Sequence, residues 1–225
     1  MVFSSATFIF MFLPITLMLY FVAYKKKKTG LLNLVLLLAS IVFYGWGGTT
    51  YLLILIAVVA ISYFLTILMS NATKYKTVLL ILILSIDLGN LFYFKYFNFF
   101  VSNTQNIANH FNLSIFSDFV EIVLPIGISF YTFQILSYVI DVYKGRVTVQ
   151  KNFLNLLLYV MMFPQLIAGP IVRYVDVNDE IENRKIDCTD VEDGIKRFIV
   201  GFFKKVFIAN AMGGWRIQYL PLLEM

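Results

Sequence analysis

Long apolar blocks separated by short polar turns run along most of this chain. The blocks lack the alternation of polar and apolar residues that is typical of barrel strands, so the pattern favours helices. A helix needs about 20 apolar residues to cross the hydrocarbon core of a bilayer. The blocks that approach this length are 6–24, 31–46, 50–69, 77–100, 119–140 and 153–170. We therefore predict an all-α polytopic membrane helix bundle with about five to seven membrane-embedded helices.

The last apolar stretch, 195–211, has a different pattern. Thr189 and Glu192 precede it with the spacing of a capping box. Apolar residues then recur at helical spacing, and basic residues occupy the other faces, namely Lys196, Arg197, Lys204 and Lys205. The pattern predicts a basic amphipathic helix in the membrane interface, where anionic headgroups attract it.

The composition agrees with a membrane protein. Hydrophobic residues make up 60% of the chain, charged residues only 14%, and the mean hydropathy is +0.82. A soluble domain of this size would need more polar surface to cover its core. The net charge of +5 arises from the loops and requires no nucleic-acid partner. The sequence has neither zinc-ligand spacing nor a glycine-rich phosphate loop, so we predict no metal site.

The loop charges predict an orientation. Clusters of Lys and Arg follow the first, third and fifth blocks, whereas the turns at 47–48 and 102–118 contain none. By the positive-inside rule, the basic loops are cytoplasmic and the N-terminus is outside. The first ten residues lack a basic n-region, so we expect a permanent first span rather than a cleaved signal peptide. The prediction is a multi-pass protein of the cell membrane.

The path of 153–170 has two interpretations. If this block crosses the membrane, the basic amphipathic helix after it would lie outside. If the block dips into the membrane and returns, that helix stays on the cytoplasmic side. Pro164 and the Gly169-Pro170 break permit a broken helix that is buried in protein. We favour the re-entrant path.

Several long motifs resemble a known family. Residues 40–46 read SIVFYGW and 94–100 read FKYFNFF. Residues 124–145 read LPIGISFYTFQILSYVIDVYKG, 150–174 read QKNFLNLLLYVMMFPQLIAGPIVRY, and 194–210 read GIKRFIVGFFKKVFIAN. In this order they resemble the membrane-bound O-acyltransferase family, in its bacterial branch associated with alginate O-acetylation and D-alanylation of teichoic acids. The alginate type is the closer match, and the resemblance covers 1–210.

The resemblance implies a ring of helices around a funnel that crosses the bilayer. It implies transfer of an acyl group from a cytoplasmic thioester, acetyl-CoA or an acyl-carrier protein, to a cell-envelope polysaccharide, with no bound cofactor. Extracytoplasmic polysaccharide-acetylation proteins are the implied partners. The family's catalytic histidine is expected beyond Met225, because such chains are roughly twice as long and no position here matches it. We expect 1–210 to be the N-terminal half of the membrane domain, a partial ring, and 211–225 to be a divergent tail left by truncation or a frameshift.

Four residues are candidates for contact with substrate or donor. Arg173 follows the Gly169-Pro170 break, where a guanidinium could hold a phosphate or pantetheine-type donor. Its alternative role is a salt bridge to Asp176, Asp179 or Glu180. Gln165, one turn earlier, is a weaker candidate. Gln134, one to two turns after Pro125, Gly127 and Ser129, could line the funnel, although these residues could also only kink the helix. Asp87 lies within an apolar block, where a carboxylate is a functional candidate or a helix-to-helix hydrogen-bond partner.

The remaining charged candidates have simpler explanations. His110 is the single histidine of the chain and is predicted in the polar loop 102–118 on the outer side. It titrates in the range that suits a general base, but the family's histidine is expected within the funnel. The basic face of the amphipathic helix is expected to contact headgroups, and docking of an acidic acyl-carrier protein is the alternative.

The resemblance therefore implies part of an O-acyltransferase that acetylates an alginate-like exopolysaccharide. Because the family histidine is absent, we expect this polypeptide alone to be inactive. A non-catalytic membrane scaffold that binds partners is the alternative. A transporter subunit is less favoured, because only Asp87 and Lys95 lie deep in a predicted span.

Overall fold

The computed structural model describes residues 5–110, 121–166, 169–184, 187–210 and 212. Within these residues the chain is helical and contains no strand. Short π-helical stretches at Phe8–Phe12 and Lys204–Ala209 adjoin the first and last α-helices. The α-helices are α1 Leu13–Tyr24, α2 Thr29–Gly45, α3 Thr49–Asn71, α4 Lys76–His110, α5 Ile128–Tyr143, α6 Phe153–Met161, α7 Phe163–Leu166, α8 Tyr174–Glu182 and α9 Cys188–Phe203.

Successive helices α1 to α5 pack antiparallel, so their ends fall into two groups. At one end, the Lys76 ammonium lies 5.0 Å from the ring centre of Tyr143, and the Thr77 and Tyr143 hydroxyls are 3.1 Å apart. At the other end, the Tyr44 hydroxyl donates to the carbonyl of Ile126 over 3.0 Å. We call the first group the lysine end, because the basic turns 25–28, 74–76 and 144–151 belong to it. The grouping matches the loop charges that predict the cytoplasmic side.

The core is formed mainly by α3, α5 and α6. The buried side chains that pack there include Leu55, Val59, Tyr131, Val139, Leu158 and Val160. A second, aromatic cluster joins the start of the chain to α2 and α7. It consists of Phe8, Phe12, Phe43 and Phe163, whose ring centres lie 5.3–6.2 Å apart.

Two helical stretches are long and apolar enough to cross a membrane, Thr49–Asn71 and Lys76–Gln105. Phe8–Tyr24 and Thr29–Gly45 are shorter apolar helices. Large apolar side chains such as Phe10, Met18, Leu53 and Phe64 point outward from them, where lipid rather than water is the favourable environment. The prediction of an all-α membrane helix bundle is confirmed.

Three local predictions need correction. The predicted loop 102–118 is wrong in its first part, because α4 continues to His110. The fifth helix begins at Ile128 rather than 119, after Gly127, whose φ of +75° is a left-handed conformation that interrupts a helix. The capping box of Thr189 and Glu192 does not form; α9 begins at Cys188, and Glu192 instead pairs with Lys196 over 2.6 Å.

Residues 153–166 and 169–174 form the two arms of a segment, called the hairpin here, whose first and last residues both lie at the lysine end. α6 begins beside α2, where the side chains of Asn33 and Asn155 are 3.3 Å apart. α7 reaches the far end, because the carbonyl of Leu166 lies against Gly127 at the start of α5. The chain then returns, and α8 lies at the lysine end, where the carbonyl of Ile181 accepts from Asn33 over 2.8 Å. Both arms thus have one end on the same side of the bundle, and the re-entrant path through the membrane stays a prediction.

Candidate functional site

An ion pair fixes the returning arm of the hairpin to α5. Arg173 Nη2 lies 2.6 Å and 2.7 Å from the two carboxylate oxygens of Asp141. Asp141 is only 2% exposed, whereas the Arg173 side chain is 43% exposed. These hydrogen bonds and the charge of Asp141 raise the pKa of Arg173 above its usual range. Arg146 is a second and weaker partner, with Nη1 at 3.5 Å from Asp141 Oδ1.

A network of tyrosines and Gln150 lies next to this ion pair. The Tyr138 hydroxyl accepts from the backbone N–H of Gln150 over 2.9 Å. The Gln150 side-chain amide donates to the Tyr174 hydroxyl over 2.8 Å and to Glu182 over 3.1 Å. Burial raises the pKa of Tyr174 above its usual value, against a smaller opposite effect of the Gln150 hydrogen bond. The phenol therefore stays neutral and holds α8 in place as a hydrogen-bond partner.

Tyr159 ties the two arms of the hairpin together. Its hydroxyl donates to the carbonyl of Val172 over 2.8 Å, and its own carbonyl accepts from Gln165 Nε2 over 3.2 Å. The ring of Tyr174 packs against it with a centroid distance of 5.2 Å. Buried backbone carbonyls in an irregular segment need such donors, since lipid supplies none.

A second polar cluster lies inside the bundle between α3, α4 and α5. Asp87 is fully buried, and its Oδ1 accepts from the Ser62 hydroxyl over 2.8 Å. Among the described residues, Asp87 Oδ2 has no hydrogen-bond partner. Gln134 Oε1 is likewise buried and unpartnered. Unpaired buried polar atoms are costly, so this cluster is a candidate polar lining within the membrane.

The four sequence candidates fall into different surroundings. Arg173 and Gln165 both belong to the hairpin, and Tyr159 connects their segments. Among the described residues, no hydrogen bond links Asp87 or Gln134 to that hairpin. The side chain of His110 lies outside the described residues, although the helix that ends there is described. No group of three or more possible metal ligands occurs in the described part of the chain.

Sequence reasoning missed Asp141, and the partners proposed for Arg173 did not include it. A signal was present, because Gln134, Tyr138 and Asp141 recur at i, i+4 and i+7 on one helix face. All three side chains are buried. A face of α5 that combines polar groups with burial therefore points into the protein, and Asp141 ends that face at the lysine end.

Several curated proteins are similar in sequence to most or part of this chain. The chain is 40% identical over 215 residues to a probable alginate O-acetylase of Pseudomonas aeruginosa, which covers 94% of this chain and 40% of that protein. It is 33% identical over 241 residues to a peptidoglycan O-acetyltransferase of Helicobacter pylori, covering 93% and 45% respectively. A teichoic acid D-alanyltransferase of Bacillus subtilis is 31% identical over 101 residues, covering 44% and 26%. No protein-family profile and no solved structure matches the chain.

The apolar helix bundle, together with relatives that are named as acyltransferases, indicates a membrane-embedded protein like the acyltransferases. More particularly, the comparisons support a chain of the membrane-bound O-acyltransferase type, similar over most of its residues to probable alginate O-acetylases and to a peptidoglycan O-acetyltransferase. The resemblance that the motifs predicted is thus confirmed. The chain spans about two fifths of the length of the curated relatives that match it over most of its residues.

Proposed function

We propose that this chain forms the membrane-embedded wall of an O-acetyltransferase that acts on a cell-envelope polysaccharide such as an alginate-like polymer. The observation that carries the proposal is the 40% identity to probable alginate O-acetylases over 94% of the chain. The donor is a cytoplasmic acetyl thioester, either acetyl-CoA or an acyl-carrier thioester. Extracytoplasmic proteins that handle the polysaccharide, and on the other side an acyl-carrier protein, are the proposed partners.

In the proposed reaction, a histidine takes the proton of the acceptor hydroxyl while the alkoxide oxygen attacks the thioester carbonyl. The C–O ester bond forms, the C–S bond breaks, and the thiolate leaves towards the cytoplasm. In this proposal the present chain shapes a water-poor path through the bilayer, and it does not supply the histidine base. His110, the single histidine in this sequence, ends α4. We therefore infer that these 225 residues alone do not transfer acetyl groups.

Complementation tests the proposal. The chain is co-produced with the remaining part of an alginate O-acetylase relative, in a host that lacks its own O-acetylase, and the polysaccharide ester content is measured. The matched control pairs that same remainder with the relative's own 215-residue segment. We expect both pairs to restore acetylation and either part alone to give none. If only the control pair restores acetylation, the assignment is wrong; turnover by the chain alone that His110→Ala abolishes would refute its inactivity.

The proposed arrangement in the membrane is multi-pass, with the N-terminus outside and the lysine end in the cytoplasm. The grouping of basic turns at one end of the bundle supports it. In a Cys188→Ser background, Lys26→Cys places a single thiol before the start of α2, and Thr50→Cys places one beyond its end, in the first turn of α3. An impermeant maleimide should label the Thr50→Cys variant on intact cells and the Lys26→Cys variant only after permeabilisation. The reverse pattern would invert the orientation.

A non-catalytic scaffold is the second candidate, favoured by the position of the single histidine at the end of α4. In that case the chain would co-purify with the extracytoplasmic acetylation proteins and still fail in the complementation assay. Restored acetylation in the assay would reject the scaffold assignment.

A further inference from the structure

A polar cleft opens at the lysine end of the bundle, and neither Asp141 nor Arg173 lines it. It has a volume of about 410 Å³ and lies between the start of α2, residues 150–152 with the start of α6, and the end of α8. Its polar lining includes Thr29, Asn33, Gln150, Lys151, Asn155 and Glu182. Gln150, which hydrogen-bonds to Tyr174 and Glu182 of α8, also lines this cleft.

The electrostatics of the cleft favour a negative group. The first turns of α2 and α6 both open into it, and neither contains an acidic residue. The start of α6 is capped by Asn152 Oδ1, which accepts from the N–H of Leu154 over 3.0 Å, so α2 supplies the free N–H groups. α2 lacks a side-chain cap, since its N-cap residue is Lys28. Uncapped N–H groups at a helix start carry partial positive charge and bind phosphates readily. Lys151 adds a full charge, and it forms no salt bridge within the described part of the chain.

Asn33 is the second and independent sign of a ligand. Its side chain is 7% exposed and lines the cleft. Its Nδ2 is already used, because it donates to the carbonyl of Ile181 over 2.8 Å and to Asn155 Oδ1 over 3.3 Å. Its Oδ1 has no partner among the described residues. A buried amide oxygen left unpaired is costly, so a ligand with a hydrogen-bond donor would relieve it.

Glu182 limits which anions fit. Its carboxylate lines the same cleft, and its Oε1 accepts from Gln150 over 3.1 Å. A bare phosphate dianion would be repelled by this group, whereas a phosphate ester with a free hydroxyl would offer Glu182 or Asn33 a donor. The cleft therefore suits a ligand that carries a phosphate beside a hydroxyl, with the phosphate at the uncapped start of α2 and next to Lys151.

We propose that this cleft binds a phosphate ester that carries a free hydroxyl. Two sources have this chemistry at the membrane surface, the glycerol headgroup of an anionic phospholipid and a soluble phosphate ester. Of the hairpin's described residues, only Asn155 at the start of α6 lines the cleft, and binding there is measured without acyl transfer. If the cleft does not bind such a ligand, the proposed function as an O-acetyltransferase is unaffected.

The lipid arm of the test uses the full chain in nanodiscs of phosphatidylcholine that contain phosphatidylglycerol or phosphatidic acid, with retained lipid counted by native mass spectrometry. The soluble arm titrates sn-glycerol 3-phosphate into phosphatidylcholine nanodiscs. We expect saturable binding in one arm. If the lipid is the source, phosphatidylglycerol should be preferred over phosphatidic acid, which lacks the hydroxyl. Saturation by glycerol phosphate instead assigns the soluble source.

Two variants test the proposed contacts and leave the core side chains in place: one adds a negative charge to the cleft and the other removes a positive charge from it. Gly30→Glu places a carboxylate in the first turn of α2, where an added Cβ meets nothing within 4 Å. It should weaken binding about tenfold or more by opposing the phosphate, while Gly30→Gln should stay within about twofold. Lys151→Gln should weaken binding about fivefold, since one charge-assisted contact to an exposed side chain is lost.

Lys26→Gln is the matched charge control, because Lys26 belongs to the same basic end but does not line the cleft. It should leave the affinity unchanged. The proposal is overturned if neither arm gives saturable binding, or if Gly30→Glu and Lys151→Gln bind as well as the parent chain. Equal loss in Lys26→Gln and Lys151→Gln would also overturn it, because that result means general attraction to a basic surface.

Discussion

The contact between α7 and the start of α5 can be isolated with a pair of glycine variants. Gly127 and Gly145 flank α5 and have nearly the same backbone conformation, with φ of +75° and +71°. They differ in their surroundings. A Cβ added at Gly127 would lie 2.5 Å from the carbonyl oxygen of Leu166, whereas a Cβ added at Gly145 meets nothing within 4 Å. The pair therefore separates backbone strain from the clash with α7.

The expected magnitudes follow from these two terms. Gly145→Ala carries only the left-handed strain of an L-residue, about 1–2 kcal/mol of unfolding free energy. Gly127→Ala carries the same strain plus a clash with backbone, which adds about 1–3 kcal/mol because a carbonyl cannot rotate away as a side chain can. Gly127→Ala should therefore cost roughly 2–5 kcal/mol in total. Gly89→Ala, in mid-helix with open space around it, should be neutral or stabilising by up to about 1 kcal/mol.

Unfolding by SDS titration in mixed micelles, followed by circular dichroism, measures these differences. Hydrogen exchange of the amides in α7 gives a local readout, since Gly127→Ala should raise exchange there and Gly145→Ala should not. Equal losses of stability in the two alanine variants would refute the reasoning. Unchanged exchange in α7 would show that the hairpin tip does not rest on Gly127.

Two further variants test the ion pair and the aromatic cluster. Arg173→Met should lower the unfolding midpoint more than Asp141→Asn, because it leaves a buried carboxylate with only Arg146 at 3.5 Å, whereas the half-exposed Arg173 can turn to water. The double variant should recover part of the Arg173→Met loss; strictly additive losses would contradict a direct coupling. Phe163→Ala should cost about 3–5 kcal/mol in the same titration, because its ring packs against Phe8, Phe12 and Phe43. Phe10→Ala, which removes an exposed ring from the same π-helical stretch as Phe8, is the control and should change little.

Most of the bundle could be predicted from blocks of apolar residues. The predicted spans 31–46 and 50–69 differ from α2 and α3 by at most two residues at each end. A segment inside a bilayer must satisfy its own backbone hydrogen bonds, so an apolar block of sufficient length predicts a helix and its approximate ends. The end of α4 was missed because 102–110 contains polar residues but no proline or glycine, and nothing in it forces the helix to stop.

The polar contacts were less accessible to sequence reasoning. Arg173 was identified as a candidate, but its partner Asp141 is 32 residues away, and acidic residues closer in sequence competed for the assignment. Asn33 gave no signal at all, because its role depends on the returning carbonyl of Ile181, 148 residues later. Local patterns predict which helices form, whereas the path of the hairpin decides which polar groups meet.

The length of α4 has a consequence for the membrane around it. Its 35 residues span roughly 52 Å at about 1.5 Å per residue, against a hydrocarbon thickness of about 30 Å. Tilt alone would have to exceed about 50° to hide it, beyond the usual range of up to about 40°. The helix is therefore longer than the hydrocarbon layer is thick, even at the largest usual tilt. Either the bilayer thickens around α4, or the polar last turns of α4 project from the membrane surface as a helix.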